Sequence, residues 1–209
     1  MNHKDESPVQ STEQLILEAA EKEFLQKGYA GARTSSIAEA AGVTHAMMHY
    51  YFRTKDKLFE KILSEKMSLV REIMLATVGD DTLPLFDRLS SAIERHFDFI
   101  AANPDLPRFL VGEVFCDTAR VGVVLDQLKS HAPGVIASLQ RQIDECAARG
   151  ECRRVDAKML MLDIVSLNIF SFMAAPMINS LMEGMMLNDQ FAARRKKENV
   201  ETILRKLRP

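Results

Sequence analysis

His45 and His49 stand four residues apart in VTHAMMHYYFRTKDKLF, residues 43–59. On a helix that spacing puts both imidazoles on one face, where they could hold a metal ion or meet a hydrogen-bonding partner. A zinc site needs more: no glutamate fills the second position of an HExxH pattern and no third ligand lies nearby, so no metal is expected. Cys116, Cys146 and Cys152 lack CxxC or Cys/His spacing and read as reduced thiols of a cytoplasmic protein. Cys116 or His96 could serve an enzyme, but no nucleophile, base and orienting group share a readable spacing, and no glycine-rich loop awaits a phosphate. Neither catalysis nor a cofactor is expected. The remaining chemistry is polyanion recognition. From Lys27 to Lys57, five cations (Lys27, Arg33, Arg53, Lys55 and Lys57) oppose Glu39 and Asp56. Phosphates need such cations, and base edges need short polar or apolar groups in a groove. Charge alone fits a solvated helical hairpin equally well.

The elements that must position these residues are helices. Across 209 residues, 47% of them hydrophobic, apolar positions recur mostly at three and four, and the net charge of -2 confines any binding patch to a local surface. Residues 1–11 are polar, read as a disordered tail and carry no secretory signal. The first helix starts at Ser11, with Gln14 completing a capping box, and stops at Gly28. A second runs from Thr34 to Ala41, Gly42 makes the turn, Thr44 caps a third helix, and Thr54 caps a long fourth. Helix, short glycine turn and helix is helix-turn-helix spacing. On the third helix Met48, Phe52, Thr44 and Tyr51 fall on the side that packs on Ile37, Ala38 and Ala41. His45, Ala46, Met47, His49 and Tyr50 face outward, as a recognition helix presents side chains to the major groove. Further helices are expected at 84–102, 106–130, 134–149, 155–186 with a break near Pro176, and 188–207.

These residues, above all SSIAEAAGVTHAMMHYYFRTKDKLF, closely resemble the DNA-binding domain of TetR/AcrR-type transcriptional regulators. The resemblance covers about the first quarter of the chain. It implies an all-α protein: a three-helix helix-turn-helix domain over 12–58, then a larger helical effector-binding and dimerisation domain over 59–209. It places Arg33, Thr34 and Ser35 near phosphates and sometimes a base, Thr44, His45, Ala46, Met47, His49 and Tyr50 at recognition-helix contacts, and Lys55 on a phosphate. His49 stands where tyrosine is frequent, and Ala46 and Met47 stand where glycine and a small hydroxyl residue are frequent. Those departures bear on base preference: Met47 suits a thymine methyl, and His49 can donate to a base or a phosphate. The implied function is a ligand-responsive repressor, bound as a homodimer to a palindromic double-stranded DNA operator and released by a small lipophilic or amphipathic effector. Activation is the other possible sense. The rival reading is a helical small-molecule or protein-binding module without specific DNA binding.

In the C-terminal part, seven of the twelve methionines lie between Met159 and Met186, suiting an adaptable pocket, a helix interface or ordinary core. Leu89, Ile93, His96 and Ile100 form a stripe that sets His96 on an apolar face. Glu113 and Asp117 lie beside aromatics, to meet a cationic ligand or, as the better expectation, Arg108, Arg120 or His96. The candidate pocket residues are His96, Phe97, Phe109, Glu113, Met161 and Phe170. Residues 164–182 carry no charge, yet repeated Ser and Asn, Pro176 and the preceding Asp163 suit burial against protein better than a membrane span. The last helix sets seven cations against Glu198 and Glu201, which reads as a solvated basic back behind a packed apolar face.

Overall fold

A computed structural model describes residues 11–78, 83–114, 117–181 and 189–209. Every regular element among them is helical. The chain divides into two compact units, Met1–Lys66 and Met67–Pro209.

The first unit holds α1 (Thr12–Gly31), α2 (Thr34–Ala40), α3 (His45–Phe52) and the start of α4 (Lys55–Val78). The Ser11 hydroxyl accepts the Gln14 N–H at 3.2 Å, but the Gln14 amide turns to Glu18 and leaves the expected capping box half made. Gly28, at φ +67°, breaks the path of α1, and Tyr29 to Gly31 add a last turn beyond it. Gly42, also at φ +67°, makes the turn between α2 and α3, a conformation that costs glycine little. Ile16, Phe24, Ile37, Met48, Leu58 and Leu63 form the core. The Phe59 ring meets Phe24 edge-on at 5.1 Å, and Lys66 pairs with Glu21 at 2.6 Å, so this unit runs past the expected 58/59 boundary. Tyr51, expected on the packing side of α3, is 40% exposed. It lies at the margin of the Met48/Phe52 stripe, where its ring edges onto Tyr50 instead.

In the second unit, α5 (Leu85–Ala102), α9 (Ala157–Met173) and α11 (Asp189–Leu207) bury Leu89, Ile93, Leu160, Ile164, Ile203 and Leu207 against one another. Helix α8 (Ala132–Ala148) covers them with Leu139 and Ile143. Cys146 and Cys152 are buried free thiols. A smaller cluster joins Phe97, Ile100 and Phe172. The single helix expected over 106–130 is interrupted. A short α6 (Leu106–Phe109) passes into a π-helical turn, Leu110–Val114, before α7 (Thr118–Lys129). Arg120 donates to the Glu113 carbonyl at 2.9 Å and pairs with the carboxylates of Glu113 and Asp117 at 3.3 and 3.5 Å, clasping the interruption. Arg108 pairs with Asp105. Helix α9 ends at Ala174, and Pro176 sits in the first turn of α10 (Ala175–Leu181), where its missing N–H costs nothing. The basic back of α11 is partly paired: Lys196 with Asp98 at 2.8 Å, Arg208 with Glu201 at 2.7 Å, and Lys206 with Asp163.

No single helix among the described residues is long and apolar enough to cross a membrane. Helices α9 and α10 have the length and composition together but bend by 60°. The expected tail through residue 10, Cys116, Met182, Met185 and Met186 lie outside the described residues.

Candidate nucleic-acid interface and effector cavity

Helix α3 is held from one side and open on the other. Met48 and Phe52 are buried, whereas His45, Ala46, His49, Tyr50 at 80% and Met47 at 41% are exposed. The Thr44 hydroxyl caps the helix by accepting the Met47 N–H at 3.1 Å. Thr34, at the start of α2, and His45 are hydrogen-bonded through Oγ1 and Nε2 at 3.1 Å, and the His45 ring meets His49 edge-on at 4.9 Å. The start of α2 and the outer face of α3 therefore form one polar surface, to which exposed Ser35 also belongs.

The cations around this surface separate by their partners. Lys27 pairs with Glu23 at 2.8 Å, holding that carboxyl below its ordinary range, and Lys57 pairs with Glu60 at 2.7 Å. Arg33 and Arg53 are exposed, and among the described residues neither guanidinium forms a salt bridge, although the Arg33 backbone N–H donates to the Glu23 carboxylate at 3.3 Å. Lys55 has a second task. Its ammonium donates to the carbonyls of Tyr29 at 2.7 Å and Ala32 at 3.0 Å and lies 4.3 Å from the Tyr29 ring centre. Those carbonyls belong to the end of α1 and the residue after it, where helical partners run out. The Tyr29 hydroxyl in turn donates to Asp56. Lys55 thus fastens the start of α4 to the end of α1.

The second unit contains a cavity of about 290 Å³. Its wall takes Met67 and Val70 from α4, Leu110 from the π-helical turn, Val124 from α7, and Met161 and Ile169 from α9. Among the fourteen described lining residues, His96 on α5 is the one with a polar side chain. Behind the wall, Asn168 Nδ2 donates to the Ile93 carbonyl at 3.0 Å and meets His96 Nδ1 at 3.0 Å. Asn168 Oδ1 accepts from Asn199 Nδ2 at 2.9 Å, and that nitrogen also donates to the Leu167 carbonyl at 3.1 Å. Burial pushes the His96 pKa down to about 4, so the imidazole is neutral at pH 7.

Of the six residues expected in a pocket, His96 and Met161 line the cavity. Phe97 packs on Phe172 at 5.2 Å, Phe109 is buried outside the lining, Glu113 pairs with Arg120, and Phe170 is 54% exposed. The expectation missed Asn168 and Asn199, the partners that orient His96. The signal available was Asn168, an amide within an uncharged helical run rich in apolar residues.

Residues 16–62 match the family of bacterial regulatory proteins, tetR family, and residues 86–203 match the tetracyclin repressor-like C-terminal domain. The chain belongs to the TetR family. Several curated relatives are HTH-type transcriptional regulators, and another is the nucleoid occlusion factor SlmA of Haemophilus influenzae. The HTH-type transcriptional repressor SCO4008 of Streptomyces coelicolor is 36% identical over 104 residues, 50% of this chain and 50% of the relative, so the match spans about half the length of that protein. The HTH-type transcriptional regulator RutR of Escherichia coli is 26% identical over 202 residues, 94% of this chain and 90% of RutR. The fold is shared with the crystal structure of the transcriptional regulator FadR from Bacillus subtilis in complex with stearoyl-CoA. That likeness has a TM-score of 0.67 at 19% identity and covers 92% of this chain and 97% of FadR.

Two outcomes follow for this TetR-family chain. Lys55→Met keeps the aliphatic stem but removes two charge-assisted hydrogen bonds, so chemical unfolding of the first unit should lose about 2 kcal/mol. An unchanged unfolding midpoint would contradict the fastening role. The folded pKa of His96, about 4, lies below its unfolded value of 6.5, so as pH falls the unfolded chain takes the proton first. Stability present above pH 6.5 should drain away between pH 6.5 and about 4, by up to about 3 kcal/mol, and His96→Gln should lose less stability across that interval. Equal slopes for the two proteins in urea unfolding at stepped pH would contradict this.

Proposed function

We propose that the chain is a repressor that binds a palindromic double-stranded DNA operator as a homodimer and is released when a small lipophilic effector fills the cavity. The observation that carries this reading is the division of α3: its inner face is packed, while His45, Ala46, Met47, His49 and Tyr50 stand exposed and the guanidinium groups of Arg33 and Arg53, in no salt bridge among the described residues, flank them. Met47 and His49 would meet base edges, and Arg33, Thr34, Ser35 and Thr44 would meet the backbone at the start of α2 and α3. Lys55 keeps one N–H of its ammonium for a phosphate after two go to carbonyls. Two such heads, about 34–36 Å apart, would fit successive major grooves on one side of the duplex.

A homodimer is supported by an apolar strip along α9 and α10. Met159, Leu162, Phe170, Met177 and Leu181 are all exposed there, and clustered exposed apolar side chains mark interaction surfaces. An effector is supported by the cavity and by FadR, which shares the fold and whose structure is in complex with stearoyl-CoA. Met67 and Val70 of the cavity wall lie on the helix that begins at Lys55, which gives a ligand leverage on the DNA-binding end. To release the operator, the ligand must bind the DNA-incompetent arrangement better, and DNA must weaken the ligand by the same factor.

The contact types differ in how they fail. Arg33→Ala should weaken every duplex alike and lower the slope of log affinity against log salt by about one. Met47→Ala and His49→Ala should each cost about 1–3 kcal/mol at particular base pairs and leave the salt slope unchanged. Titration of the purified variants against single-base changes in a high-affinity duplex separates the two. A uniform loss for Met47→Ala and His49→Ala would sink their assignment to base edges.

A further inference from the structure

We infer that the cavity selects an uncharged ligand presenting one hydrogen-bond acceptor to the Nε2–H of His96. This rests on the reading of the cavity as the effector site. The tautomer follows from a chain of forced choices. The Ile93 carbonyl can only accept, so the Asn168 group facing it at 3.0 Å is the NH2. The same NH2 meets His96 Nδ1 at 3.0 Å, so Nδ1 must accept. The Asn168 oxygen is held by Asn199 Nδ2 at 2.9 Å, which blocks the flipped amide. Asn168 is fully buried and Asn199 almost so, and no bulk water offers either amide another arrangement. A neutral imidazole with Nδ1 accepting carries its proton on Nε2. Among the described residues Nε2 has no partner, and His96 belongs to the cavity wall.

The chemistry of the ligand follows. Burial keeps His96 uncharged at neutral pH. The described wall holds no Asp, Glu, Lys or Arg, so a carboxylate or an ammonium would enter without a counter-charge. A ligand hydroxyl or amine N–H would find no side-chain acceptor among the described residues, because the Nδ1 lone pair is spent on Asn168 and the other described wall side chains are apolar. A carbonyl or ether oxygen satisfies the single donor and leaves no orphan of its own. A cavity of about 290 Å³ lies at the lower end of ligand-sized pockets, which suits a compact apolar body around that oxygen.

Four probes of one size test this on the purified full-length chain at pH 7.5: butyrophenone, butylbenzene, 4-phenylbutyrate and 4-phenylbutylamine. Calorimetric titration should show both charged probes binding at least tenfold more weakly than the ketone. The carbonyl stretch of bound butyrophenone should lie below its frequency in hexane, as an accepted hydrogen bond requires. His96→Leu should reduce the affinity ratio of ketone to hydrocarbon about tenfold and return the stretch to its hexane value, with circular dichroism checking the fold. If that variant does not fold, the wild-type ranking and the wild-type carbonyl frequency decide. Charged probes as tight as the ketone, or a hexane-like stretch in the wild type, would overturn the inference while butylbenzene binding upholds the cavity. Binding of none of the four would overturn the cavity reading and the inference with it.

Discussion

A carboxamide buried away from water loses about 1–3 kcal/mol for each donor or acceptor that the protein leaves unpaired. Asn168 avoids this loss at the centre of the second unit. Its nitrogen is answered by α5, through the Ile93 carbonyl and His96, and its oxygen by α11, through Asn199. Apolar packing of Ile93, Leu160, Ile164, Ile203 and Leu207 drives the three helices together but tolerates small slides. The amide network does not, because a shift of an ångström breaks directional bonds. The register of α5, α9 and α11 is therefore set by polar atoms inside an apolar core. The same bonds fix the ring of His96, the one polar side chain among the described residues that line the cavity.

The first unit uses polar groups in the same way at its helix ends. Lys55 answers carbonyls at the end of α1, Thr44 answers an N–H of α3, and Thr54 answers the Lys57 N–H of α4 at 3.2 Å. With the ends of α3 and α4 so fixed, Met48 and Phe52 can anchor α3 by one side alone. The opposite side is exposed, with His45 alone tied back to α2 through Thr34 at 3.1 Å. Exposure frees Met47, His49 and Tyr50 from core packing and suits them to the proposed contacts with DNA.

Local rules were legible where a short segment decides its own structure. Caps at Ser11, Thr44 and Thr54, the turn at Gly42 and the Met48/Phe52 stripe all depend on neighbours within four residues. What escaped depends on residues distant in sequence. Asn168 and His96 are 72 positions apart, and nothing in either neighbourhood announces the other. The π-helical turn at Leu110–Val114 is clasped by Arg120, whereas apolar periodicity alone reads straight through it. Phe170, attractive as a pocket aromatic, shares a helix with the lining residues Met161 and Ile169 but is exposed. The place of Lys55 in the motif suggests a phosphate contact but not its fastening role, because its two carbonyl partners lie 23 and 26 residues earlier.

A supported and an exposed side on one short helix, an apolar cavity with one neutral donor, and an unpaired apolar strip on α9 and α10 form a coherent set. Together they support the proposed dimeric switch, in which a small ligand and a duplex would compete for the arrangement of the same chain. Its central claim is that the outer face of α3 reads DNA in two symmetric copies. Selection of random-sequence duplexes by the purified full-length protein tests this most directly. Enrichment of a palindrome with half-sites about 10 base pairs apart, or a multiple of that spacing, is the expected result, and recovery of no symmetric sequence after repeated rounds at moderate salt would contradict the account.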